Sequence, residues 1–378
     1  MTEEKRSFIE TFLPIDEISE EAKIEKQGNA KPPISALHYW WTRKPLITAR
    51  AAVLGSLLLE DFDKLHFKKL LGLGMEGRAH NYDLSDDQIA NLKIEYLKRW
   101  GTIPEILDPF SGGGSIPFET MRLGINTIAN DYNPLAHLIE KATFEYPHLY
   151  GETLYRDVET GLKEIFNETK QELAQYYPKH NGNDVVAYLW AWSIICPDCG
   201  FDNPIVGLWE LVRKEKNKKH LNPKVENNQI TFEIANGLNI PEPTAVGGSG
   251  RCINCGVKID TNCVQKDIQE REKDILLTII TSERGGKNYY LPSEEQIKSY
   301  LVTEQIVQKN WDVWLSKNLI PLDDIPKDTR GSLSIQLYLS KWHRILNPRQ
   351  KLLLVTLIKN GSVEFLNENK KRQSCNHS

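Results

Sequence analysis

Residues 104–134 read PEILDPFSGGGSIPFETMRLGINTIANDYNP, and the reading of this stretch decides the fold. Ile106 and Leu107 close a short apolar run of the kind that forms a buried strand. Asp108-Pro109-Phe110 ends it, and Ser111-Gly112-Gly113-Gly114-Ser115 turns into a helix running to about Leu123. Gly124 is well placed as the left-handed residue that stops that helix. Ile125 to Ala129 is a second short apolar strand, ending on Asn130-Asp131. Strand, glycine turn, helix, strand and acid make half of a nucleotide-binding α/β unit.

Glycines at this spacing let backbone N–H groups approach a ligand and accept unusual dihedrals. An acid at the end of the second strand is placed to accept hydrogen bonds from ribose hydroxyls. There is no GxGxxG, however, and Asp108 stands before the glycine turn. A pyrophosphate is repelled by a carboxylate there, and a cationic ligand is attracted. S-adenosylmethionine carries a sulfonium, an ammonium and a ribose, so Asp108 with Asp131 suits it better than NAD. The bland alternative is a purely structural glycine turn between strand and helix.

Three blocks carry a family resemblance: DPFSGGGSIPFE, NDYNPLAH and the upstream HYWWTRKPLITARAAVLGSLL. Together they resemble the adenine-specific DNA methylases that carry a zinc ribbon, over about Ser7 to Thr356. The first block is similar to the cofactor glycine loop of amino-methyltransferases, and the second to their ribose-binding acid. The third resembles the Lys-Pro helix that packs beside the cofactor's methionine end. The resemblance thus implies a Rossmann-like S-adenosylmethionine-dependent methyltransferase core. It implies cofactor contacts at Lys44, Pro45, Asp108, Pro109, Phe110, Ser111, Gly112, Gly113, Gly114, Asp131, Tyr132 and Asn133.

At 378 residues the chain accommodates two or three domains, or one large α/β domain with insertions. Its composition is that of an ordinary globular protein, with no apolar run near the roughly 18 residues of a membrane span. The N-terminus MTEEKRSFIE lacks the apolar core of a secretory signal, so a cytoplasmic location is expected. A net charge of −4 excludes a global nucleic-acid signature, and any such contact must come from a local basic surface.

Upstream of the central unit, Trp40, Trp41, Arg43 and Lys44 lead into Pro45, a good first helical residue. Leu46, Ala49, Ala52, Val53 and Leu57 lie on one face of the helix that follows. The paired tryptophans either stack on a base or an adenine ring or form part of the core. Downstream, Asn133-Pro134 opens a helix over Leu135–Lys141, and Thr153 to Tyr177 gives the clearest amphipathic helix.

A different region starts at Asp184, where VVAYLWAWSII reads as a strand running into Cys196-Pro197-Asp198-Cys199-Gly200. A second knuckle, Cys252-Ile253-Asn254-Cys255-Gly256, follows after 52 intervening residues. Four thiolates in two such pairs match a closed tetrahedral zinc site at Cys196, Cys199, Cys252 and Cys255. The separation exceeds the usual ~15–20 residues, but strands expected at Ile205–Val212 and Gln229–Ile234 would bring the knuckles together. A redox dithiol is the alternative; CPDC leads out of a strand, not into a helix. Residues 213–220, RKEKNKKH, form a basic run that is either a phosphate contact to DNA or a solvated loop. Asp267 to Ser282 and Ser293 to Leu315 read as largely helical, with a short strand at Asn288–Leu291. Asn347-Pro348 starts a further helix, which the resemblance places against the cofactor domain, and the tail from about 368 is expected to be disordered.

One element is missing from the sequence. Amino-methyltransferases of the kind resembled position the target amine with an Asp/Asn/Ser-Pro-Pro-aromatic tetrapeptide. The sole Pro-Pro here, Pro32-Pro33, lies between Lys31 and Ile34 and does not fit. The expectation is therefore an α/β chain in three parts. Residues 1–183 form the cofactor half-domain with an incomplete sheet, 184–265 a zinc-ribbon insertion, and 266–378 a mainly helical segment. Its function would be the S-adenosylmethionine-binding part of a DNA (adenine-amine) methyltransferase, truncated or split, with a second chain supplying the catalytic loop. The resemblance also suggests restriction-modification or phage defence. The alternative is a non-catalytic zinc-ribbon nucleic-acid-binding module with a vestigial cofactor site.

Overall fold

The apolar runs on either side of the glycine turn pair as expected. Ile106–Asp108 (β1) and Thr127–Ala129 (β2) are parallel, with Ile106 opposite Thr127 and Asp108 opposite Ala129. Helix Ser115–Arg122 connects them, and Gly124 (φ 73°) takes the left-handed conformation at its end. The computed structural model describes residues 6–27, 31, 32, 34, 40, 43–212, 218–283, 286–326 and 339–362. It divides into two compact units, Met1–Thr160 and Gly161–Ser378, and is mixed α/β.

In the first unit, helices carry most of the core. Phe8, Leu54, Phe67, Leu70, Tyr96 and Leu123 are fully enclosed. Helix Leu46–Leu57 is buried on nearly all sides, not on one face. Small residues allow this: a Cβ on Gly55 would lie 3.0 Å from the Ile9 side chain. Such burial draws in polar groups that then need partners. The Glu25 carboxylate accepts the Leu46 N–H at 2.8 and 2.9 Å, capping the helix. Arg50 pairs with Glu119 at 2.6 Å, and Arg122 takes the other Glu119 oxygen at 2.7 Å. Pro45 stands just outside this helix, not at its first position.

Parallel strands are ordinarily covered on both faces. Among the described residues this pair is not: Leu107 is 62% and Ile128 49% exposed.

Among the described residues, the second unit contains three antiparallel sheets. Val185–Ile195 (β3) and Asp202–Ile205 (β4) form a hairpin around the first cysteine knuckle. Glu210–Val212 (β5), Lys219–Glu226 (β6) and Gln229–Asn236 (β7) form a separate sheet in that order. The single strand expected at 205–212 is thus two strands in different sheets, with Gly207 in the turn between them. Ala245–Val246 (β8), Ser249–Arg251 (β9) and Lys258–Ile259 (β10) surround the second knuckle.

The helix expected over 267–282 is corrected. A helix does run Thr261–Arg271, but Glu272 (φ 44°) ends it, and Asp274–Glu283 is a strand, β11. Residues 275–281, ILLTIIT, are rich in β-branched side chains, and Leu276 to Thr281 are all buried. A continuous apolar run of this length fits a doubly covered strand as well as a helix. β11 pairs with β3 and with Gly286–Tyr290 (β12), so one four-stranded sheet joins residues from both sides of position 265. Helices Glu294–Ser316 and Pro348–Asn360 pack together, the second capped by the Asn347 side chain with Pro348 in its first turn. Trp314 is buried and Trp311 packs beside it, so the two are core residues.

Candidate cofactor loop and metal centre

β1 delivers Asp108 to the start of the glycine turn, where its Oδ1 accepts the Phe110 N–H at 3.2 Å. Ser111 donates both its N–H and its hydroxyl to the Asn130 carbonyl at 3.0 Å. Asp131 ties the two strand ends together. Its Oδ2 accepts the Gly112 N–H at 2.8 Å, and its Oδ1 accepts the Asn133 N–H at 2.8 Å. Asn133 in turn caps helix Pro134–Glu140, and the Ser115 hydroxyl donates to the Lys44 carbonyl at 2.8 Å. Pro109 and Lys44 therefore act through their carbonyls, Pro109 accepting from Asn130 Nδ2. Pro45 is buried, while Phe110 and Tyr132 are 83% and 99% exposed.

The glycines make room for side chains of the chain itself. A Cβ on Gly112 would lie 2.7 Å from the Trp40 indole nitrogen, and one on Gly113 2.9 Å from the Arg43 guanidinium. One on Gly114 would lie 2.6 Å from the Phe144 ring. Gly112 and Gly114 also have φ of 55° and 76°, which only glycine adopts easily. The expectation that the glycine N–H groups face a ligand needs revision for Gly112 and Gly114. Those of Ser111, Gly112 and Gly114 donate within the protein. Trp40 belongs to this packing; Trp41 lies outside the described residues.

Two charged residues here were not singled out as site residues from the sequence. Arg43 reads there only as part of a basic turn. Its three guanidinium nitrogens are enclosed with no hydrogen-bond partner among the described residues, and burial lowers its pKa. Glu140 is 5% exposed, with Oε1 lacking a partner. Burial raises its pKa, and the nearby Asp131 and Asp108 charges add to the rise. Asp108, Asp131 and Glu140 thus gather around one loop. The sequence signal was an acid following Ala136 and Ile139 on the buried face of a short helix. A concentration of carboxylates favours a cationic guest.

At the knuckles, Cys196 Sγ lies 3.8 Å from Cys255 Sγ, and Cys199 Sγ 3.7 Å from Cys252 Sγ. All four sulfurs lie within 4.8 Å of one another. A tetrahedron with Zn–S bonds of about 2.3 Å has edges of about 3.8 Å, so the spacing fits a four-thiolate metal site and is far too long for disulfides. Gly200 (φ 70°) and Gly256 (φ 75°) close the two turns by donating to the Cys196 and Cys252 carbonyls. Cys196, Cys252, Phe201 and Ile259 pack in one core cluster, which fixes the cage. Of the basic run, residues 213–217 lie outside the described residues; Lys219 and His220 begin β6.

A cavity of about 810 Å³ lies within the second unit. Its lining includes Trp190, Trp192, Glu304, Lys351 and Asp274, whose carboxyl is pushed up to about 6, chiefly by burial. Among the described residues, no helix is long and apolar enough to cross a membrane.

Residues 12–71 match a family model described as a protein of unknown function, DUF1156. The matched stretch contains Trp40, Arg43, Lys44 and Pro45, the segment that lies against the glycine loop. No curated protein and no solved structure matches the chain.

Proposed function

We propose that the first unit holds S-adenosylmethionine at the glycine loop. The chain then carries the cofactor-binding part of a DNA (adenine-amine) methyltransferase. One observation carries this reading: the carboxylates of Asp108, Asp131 and Glu140 gather around a strand–glycine turn–helix–strand unit. That charge suits a sulfonium and an ammonium and opposes a pyrophosphate. In such an enzyme the protein's task is positioning and electrostatics at the methyl group. Here that means Asp131 fixing the strand ends against the glycine turn, with the donor's ribose within reach of its remaining lone pairs. The four thiolates hold a structural zinc that fixes the ribbon, and DNA is the macromolecular partner.

Calorimetry with S-adenosylmethionine tests the reading. Heat is expected for the chain and none for NAD, and Asp131→Ala should abolish it. A zinc-ribbon nucleic-acid-binding module with a vestigial cofactor site is the second reading. The filling of the glycine spaces by Trp40, Arg43 and Phe144 favours it. Absence of heat with S-adenosylmethionine, together with retained DNA binding, would select it.

A further inference from the structure

The strongest unexplained group in the first unit is the Arg43 guanidinium. It lies against Gly113, the one residue of the turn whose missing side chain makes room for it. Nε, Nη1 and Nη2 are all enclosed, and none has a hydrogen-bond partner among the described residues. Arg50 and Arg122, in the same unit, each engage Glu119. An enclosed guanidinium without an anion is unfavourable, and a carboxylate is the partner its fork of donors matches best. A polyphosphate is the poorer match, because Asp108, Asp131 and Glu140 gather around the same turn.

We propose that Arg43 is the anchor for the carboxylate of the methyl donor's amino-acid end. This rests on the S-adenosylmethionine reading and adds the residue that selects for an amino-acid tail. The three nitrogens are closed off in the ligand-free chain, so Arg43 and its neighbour Trp40 shift as the carboxylate enters.

The test compares S-adenosylmethionine with its decarboxylated analogue, which keeps the adenosine, sulfonium and amine. The intact chain should bind the former about 10- to 100-fold more tightly, the range of a charge-assisted hydrogen-bonded pair. Arg43→Met should bring the ratio close to one, and Arg43→Lys should restore part of the ratio. Tryptophan fluorescence should change on binding S-adenosylmethionine, and less so in Trp40→Phe. Equal affinity of the intact chain for both ligands overturns the role of Arg43 while leaving the methyl-donor reading standing, and that comparison needs no variant to fold. A ratio unchanged in Arg43→Met also overturns it. No binding of S-adenosylmethionine overturns the reading and the anchor together.

Discussion

The cysteine cage and the glycine loop both begin as short spacing motifs, but they are built differently. The cage draws all four ligands from two hairpin turns, and its sulfur spacing already fits an ion. The glycine loop draws on distant chain. Ser115 bonds Lys44 across 71 positions, and Trp40 and Arg43 fill the space over two glycines. The cage leaves its thiols facing one another. The loop leaves opposite charges, Arg43 and Glu140, without partners at those atoms. A structural metal site is closed by local geometry. The glycine loop is marked instead by the charged atoms left over after the protein has satisfied its own hydrogen bonds.

The comparison breaks most easily at the metal. Structural zinc supplies about 10–16 kcal/mol of apparent binding energy in small domains, so the largest effect is expected there. Cys252→Ser should reduce bound zinc from about one equivalent per chain to none by elemental analysis. Hydrogen exchange should then speed up in β3, β4, β9 and β10. Retained metal in that variant would mean the four sulfurs are not its ligands.

The frame of the glycine loop comes next. Glu119 is wholly buried between Arg50 and Arg122. Glu119→Gln leaves Arg50 enclosed without its ion-pair partner and should destabilise the first unit by about 3–5 kcal/mol in urea unfolding. A loss below ~1 kcal/mol would show that the network is solvated.

The smallest expected effect concerns Asp274 in the second unit. Its carboxyl is raised in the folded chain to about 6 by burial, against the Tyr300 hydroxyl that donates to it at 3.1 Å. A raised carboxyl favours the protonated folded state. Its contribution is therefore present in full below the unfolded value of about 3.9 and is lost as pH rises through 6. Asp274→Asn should remove that dependence, gaining about 1–3 kcal/mol over the wild type at pH 8 relative to pH 4. Parallel curves for the two chains would place the ionised carboxylate in an environment as favourable as water.

The central unit was legible because glycine, proline and acid each mark a backbone event. The turn at Ser111–Ser115, the stop at Gly124 and the cap at Asn133-Pro134 occur where those residues stand. The knuckles were legible because two CxxC pairs ending in glycine leave few other geometries. The sequence was less informative where an apolar run lacks periodicity: the run that forms β11 reads as helix in the sequence, and its pairing with β3 is what corrects that. It was silent on Arg43 and Glu140 as a pair of unpaired charges. Whether a charge has a partner depends on contacts between positions far apart, and no local pattern records that.

The account's central claim is that the glycine loop receives a cationic methyl donor. Ultraviolet cross-linking of labelled S-adenosylmethionine to the intact chain, followed by peptide mapping, tests it most directly. The label should fall within residues 104–134 or 40–45, be displaced by unlabelled S-adenosylmethionine and resist NAD. A label confined to residues 161–378, or none that unlabelled cofactor displaces, would contradict it.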